Sequence, residues 1–231
     1  MAGAGRTNDR VASARRVAEL IQLRCADMRR LGPQDYRNAA ARHGLDPAAL
    51  HAFADVESNG KGFSSDGRGV ILYEPHIFSR ETRGQWDGYQ IGGVSCSYKK
   101  WVPMGGKLPP ACEIHPYNLD QLGRWGLLAF AAELDFEGAL KACSWFGFQI
   151  LGRNHSVLGY PTAWQFVVAG HDGEHASLDM AIAFLIGNDV LDDFRRKEWR
   201  RVITVWNGPG QVDTYLKKFN TRLAERTKAY A

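Results

Sequence analysis

Along most of this chain the apolar residues recur with a helical period. From Asn8 to Leu31 they fall at Val11, Ala14, Val17, Ala18, Ile21, Cys25 and Met28, opposite an arginine-rich face. Steps of three and four predict a helix, and Gly32-Pro33 ends it. A short helix is predicted over 34–43. Asp46-Pro47 then offers an N-cap and a proline at the first helical position, opening a helix over 47–57 with Leu50, Phe53, Ala54 and Val56 on one side. Residues 58–70, SNGKGFSSDGRGV, break the period, and Asp66-Gly67 marks a tight turn or β-hairpin. Another short helix is expected from about 75 to 82.

Residues 83–117 are rich in Gly and Pro and have no clear period, so they read as a long irregular loop of the kind that carries function. The second half is helical again. Asn118 reads as the cap of a helix over 119–133, and Asp135 as the cap of one running to about Cys143. Further helices are expected near 160–170, 177–187, 189–205 and 211–228. Strand signals are sparse, and no internal repeat is present. The pattern predicts a mainly α protein with a small β-hairpin near Asp66. Residues 1–33 read as a basic helical extension and 34–231 as the main domain.

Composition supports a packed core, with 45% hydrophobic and 23% charged among 231 residues. No apolar run is long enough for a membrane-spanning helix. The opening MAGAGRTNDRVASARR lacks an apolar h-region, so no signal peptide is expected. The expectation is synthesis in the cytoplasm, with some other route of release to act outside. Cys25, Cys96, Cys112 and Cys143 form no CxxC pair, which argues against a structural zinc site. Cys96 and Cys112 flank a Gly/Pro-rich loop and could be neighbours, although free thiols suit a cytosolic product better. Residues 1–30 hold seven Arg and three acids, a surplus of four that equals the net charge of the whole chain. Such a segment suits an anionic polymer or envelope, or is simply a solvated helix face.

Two carboxylates lie in mostly apolar surroundings, Glu57 in VESNGKGF and Glu74 in ILYEPHIF. Glu57 falls at the C-terminal end of a predicted helix, where the helix dipole opposes a negative charge. A carboxyl held protonated there suits general acid catalysis at a glycosidic oxygen. Taken alone, either acid could equally be a surface or salt-bridged residue. Asp66, on the adjacent turn, is a reserve acid. SWFGFQILG (144–152) carries a single amide, Gln149, and WNGPG (206–210) places Asn207 after Trp206. Aromatic faces such as Trp145, Trp206 and Tyr215 suit the CH faces of sugars, and amides suit N-acetyl groups and hydroxyls. The alternatives are a core role for Trp145 and a helix C-cap at Asn207-Gly208. His171 and His175, in HDGEH, sit four apart as zinc-binding pairs do, but Gly173 intervenes and the His-Glu-x-x-His order is absent.

In order, these stretches resemble the lysozyme-like superfamily. ILYEPHIFSR, ALKACSWFGFQILGRNH and WNGPGQ resemble, more closely, the phage and bacterial N-acetylmuramidase family that includes modular endolysins, over roughly residues 35–228. The resemblance implies a lysozyme-like α-helical domain that cleaves the β-1,4 bond between N-acetylmuramic acid and N-acetylglucosamine in peptidoglycan. It places the catalytic acid at Glu57, followed by Ser58, and the second acidic position at Glu74. Gln149 and Asn207 match the family's amides. Trp206 stands where Tyr is usual, Phe146 precedes Gly147, and Leu72-Tyr73 replaces Leu-Phe. The implied enzyme needs no cofactor or metal, and it acts on glycan strands as a monomer without nucleic acid. Residues 6–30 are free to meet an anionic cell envelope. A lytic transglycosylase needing only Glu57, and a lysozyme-like protein that binds glycan without cutting it, are the rival readings.

Overall fold

Leu20 is fully buried, and with Val17 it fastens the first helix, α1 (Ala2–Gln22), into the same core as the rest of the chain. The structure is a computed structural model that describes residues 2–110 and 112–231, with side-chain surroundings described from residue 11 onward. The predicted helix over 8–31 is shorter than expected because residues 23–31 turn their backbone groups to distant partners. Cys25 N–H donates to Gly67 O at 2.7 Å and Ala26 N–H to His171 O at 2.8 Å, while Asp27 pairs with Gly173. Arg24 folds back onto the Ile21 and Leu23 carbonyls, satisfying the end of α1. Residues 23–31 therefore form an extended strap across the body.

After α2 (Pro33–His43), Asp46 starts α3 (Pro47–Ser58) as predicted, its carboxylate accepting from the backbone of Ala48 and Ala49. Asn59, with φ 52°, ends it. The 58–70 turn makes one bridge, Phe63 to Gly69, instead of a full hairpin. The main sheet is built elsewhere. β1 (Ile71–Tyr73) precedes α4 (Pro75–Glu81), and the irregular 83–117 segment contains a small hairpin of β2 (Gln90–Ile91) and β3 (Val94–Ser95).

Asp120, not Asn118, caps the next helix, α5 (Gln121–Leu134), by accepting from Gly123 N–H; Asn118 ends a short 3-10 turn before it. Asp135 caps α6 (Phe136–Lys141) as expected. The chain then enters β4 (Cys143–Trp145) and β5 (Ile150–Leu151), so SWFGFQIL is a hairpin whose turn holds Phe146 and Gln149 at positive φ. β4 lies between β1 and β5, antiparallel to both, with Ile71 opposite Trp145 and Trp145 opposite Ile150.

The remaining helices are α7 (Ala163–Gly170), α8 (Glu174–Gly187), α9 (Leu191–Arg195), α10 (Trp199–Asn207) and α11 (Val212–Tyr230). The single helix predicted over 189–205 is divided at Lys197, which takes φ 62°. Asp193 bridges the break by accepting from Arg196 and Arg201. The fold is thus mainly α with a small antiparallel sheet. Phe53 of α3 sits at its centre, touching Phe194, Trp206, Tyr215 and Phe219. This packing of α3 against α10 and α11 aims the last turn of α3 at a cleft. All four cysteines are free thiols.

Candidate active site

A cleft of about 360 Å³ opens where α3, β1, the β4–β5 hairpin and the end of α10 converge, and it is lined by both Glu57 and Glu74. Glu57 projects from the last turn of α3. Tyr215 of α11 donates its hydroxyl to Glu57 Oε1, and the Trp206 indole N–H is a second donor to the same carboxyl. Burial outweighs these donors and pushes the Glu57 carboxyl up to about 7. Of the two causes the sequence offered, the helix dipole and burial among apolar groups, burial is the dominant one.

Glu74 faces the cleft from the residue before α4. Tyr117 donates its hydroxyl to Glu74 Oε2, yet burial again prevails and raises this carboxyl to about 7. His76 Nδ1 lies 3.4 Å from Glu74 Oε2. Burial and the neighbouring Arg80 lower His76 to about 4, so the imidazole is neutral at pH 7 and brings no counter-charge. Near neutral pH, two carboxyls of similar acidity thus face one cleft. At that pH a state with one proton on Glu57 and none on Glu74 is well populated.

Gln149, Trp206 and Asn207 also line the cleft, as the sequence suggested. Gln149 Nε2 donates to Phe146 O at 2.7 Å and Val70 O at 3.3 Å, which fixes the amide and turns Nε2 away from duty as a ligand donor. Trp206 packs on Phe184, Phe53 and Phe148, so one of its faces belongs to the core. Asn207 is exposed.

Three candidates lie elsewhere. Trp145 is fully buried, with its indole N–H on Leu140 O at 3.0 Å and its ring edge-on to Trp125, so it is core and no sugar platform. Asp66 pairs with Arg68 on the surface turn and does not line the cleft. Ser58 donates to Gly147 O at 2.7 Å and ties α3 to the β4–β5 turn. Tyr215, suggested as a sugar face, is instead buried and uses its hydroxyl on Glu57. The HDGEH histidines form no pair: His171 is buried, with Nδ1 against Val167 O and Nε2 accepting from Gly69 N–H, while His175 meets Asp172 at the surface.

Sequence reasoning gave no place in this cleft to Tyr117, His76, Arg80, Ser144, Arg153 or Asn154. His76 alone had a local signal, two positions after Glu74. Tyr117 comes from a segment read only as irregular loop.

Residues 46–231 match the N-acetylmuramidase (Muramidase) family. The chain belongs to the N-acetylmuramidase family. It is therefore related to peptidoglycan-degrading glycoside hydrolases, and its substrate is peptidoglycan. Among solved structures, the Burkholderia AP3 phage endolysin superposes with a TM-score of 0.67 and 31% sequence identity, over 89% of this chain and 74% of that one. No curated protein matches the chain. The family match takes in Glu57, Glu74, Gln149 and Asn207, so this muramidase cleft lies wholly within the matched segment.

Proposed function

We propose that this muramidase hydrolyses the β-1,4 bond between N-acetylmuramic acid and N-acetylglucosamine, as an endolysin in lysis of a bacterial host. The observation that carries the reading is the shared cleft, in which Glu57 and Glu74 are both raised to about 7. Glu57 gives its proton to the departing glycosidic oxygen. Glu74, ionised, takes a proton from the water that attacks the anomeric carbon, and the two carboxyls then exchange protons with solvent to reset. Tyr215 and Tyr117 hold the two acids in place. The Gln149 carbonyl oxygen and the Asn207 amide suit the hydroxyls and N-acetyl groups of the flanking sugars.

Mass spectrometry of soluble products from purified peptidoglycan tests the reading. Reducing muramic ends, lost with Glu57→Gln and with Glu74→Gln, support it. Anhydromuramic ends that survive Glu74→Gln would instead make the enzyme a lytic transglycosylase relying on Glu57 alone. Release of no glycan fragments would leave a wall-binding protein.

The protein would work as a monomer, with its N-terminal segment drawn to an anionic envelope. The charge available for that contact is smaller than the sequence suggests. Arg16 covers Phe136 and pairs with Glu137, Arg29 grips Asp35, and Arg30 reaches Glu174. Arg6 and Arg10 lie outside the described side chains.

A further inference from the structure

A second groove, of about 590 Å³, runs between the end of α3 and the middle of α11. It starts at Val56, the residue before the acid Glu57, and continues along Asn59, Lys217, Lys218, Thr221 and Arg222, with Asp55 and Glu225 also in its wall. Both of these acids are paired, which leaves the unpaired charge one-sided. Asp55 is engaged by a two-pronged contact from Arg226, with both N–O distances below 2.8 Å, and Arg222 pairs with Glu225. Lys217 and Lys218 are exposed and have no acidic partner within ion-pair distance among the described residues. Lys218 lies one helical turn beyond Tyr215, the residue bonded to Glu57, and its charge is close enough to act on the Glu57 carboxyl. The groove and the catalytic cleft are therefore neighbours on either side of the last turn of α3.

The substrate is also one-sided. Each muramyl residue carries a peptide stem on its lactyl group, and the stem bears free carboxylates. A muramyl sugar seated beside Glu57 must direct that stem out of the cleft. We propose that the α3–α11 groove receives the peptide stem of the muramyl residue, with Lys217 and Lys218 binding its carboxylates. This rests on the glycan-cleaving reading above and adds a preference for peptide-bearing over naked strands.

The test uses the full chain and two soluble substrates free of secondary wall polymers: glycan strands with stems, and the same strands stripped by an amidase. The ratio of kcat/KM on peptide-bearing strands to that on stripped strands is compared for the wild type and for Lys217→Gln/Lys218→Gln. A charge-assisted contact to each carboxylate predicts a fall in this ratio of about tenfold, carried by KM. Any change in Glu57 acidity from losing Lys218 acts on both substrates and cancels. An unchanged ratio overturns the proposal. So does a ratio that falls with Arg80→Gln but not with the lysine variant, since that places the stem at the opposite rim of the cleft. In a parallel sedimentation assay with walls that retain their anionic polymers, loss of binding by the lysine variant with the ratio intact also overturns it in favour of a polymer phosphate site. Failure of the underlying reading is separate: the wild type would then cleave neither strand.

Discussion

Tyr215 donates its hydroxyl to Glu57 from 158 residues further along the chain, and Tyr117 does the same for Glu74 from 43 residues away. Each acid thus has one phenol as its fixed partner, and each phenol lowers a pKa that burial has raised. The two halves of the site are built alike from unrelated parts of the fold.

Rate against pH should reveal both acids. Glu57 must be protonated and Glu74 ionised, so kcat/KM is expected to follow a bell with both limbs near pH 7. A profile flat from pH 5 to 6 that only falls above 7 would show that Glu74 is not a base.

Tyr215→Phe and Tyr117→Phe should move opposite limbs. Removing a donor to a carboxylate disfavours the ionised form, so each acid titrates at higher pH. Tyr215→Phe moves the alkaline limb up, and Tyr117→Phe moves the acid limb up. Identical loss of rate at every pH in both variants would reduce the phenols to packing.

Glu57→Gln should trade activity for stability. The rate is expected to fall by about 10²–10⁴-fold, the usual worth of a general acid. The folded carboxyl titrates near 7 against an ordinary value of 4.5, so the native state is favoured most below pH 4.5 and loses stability as pH rises through 7. The neutral amide escapes that loss. Urea denaturation should find the variant more stable by about 1–3 kcal/mol at pH 8 and little changed at pH 4. Equal effects at both pH values would mean that Glu57 is not held protonated by burial.

The N-terminal segment should behave as part of the folded body. Leu20 is fully buried, and Leu20→Ala is expected to cost about 2–5 kcal/mol in denaturant unfolding. A cost under about 0.5 kcal/mol would detach α1 from the core.

The sequence by itself determined the helices that begin at caps, such as α3 at Asp46 and α6 at Asp135. It also determined the helical periods of α7, α8 and α11, and it singled out Glu57 and Glu74. These signals are local, because a cap bonds a backbone N–H two or three residues away and a helix repeats every three or four. Only the tertiary structure decided that Trp145 faces the core while Asn207 faces the cleft. It alone joined Ile71–Tyr73 to Cys143–Trp145, turned residues 23–31 into a strap, and set Tyr117 and Tyr215 on the two acids. Each of these outcomes depends on contacts between residues more than 40 positions apart. An amphipathic aromatic such as Trp or Tyr satisfies local patterning on either face, so only packing settles which face it takes.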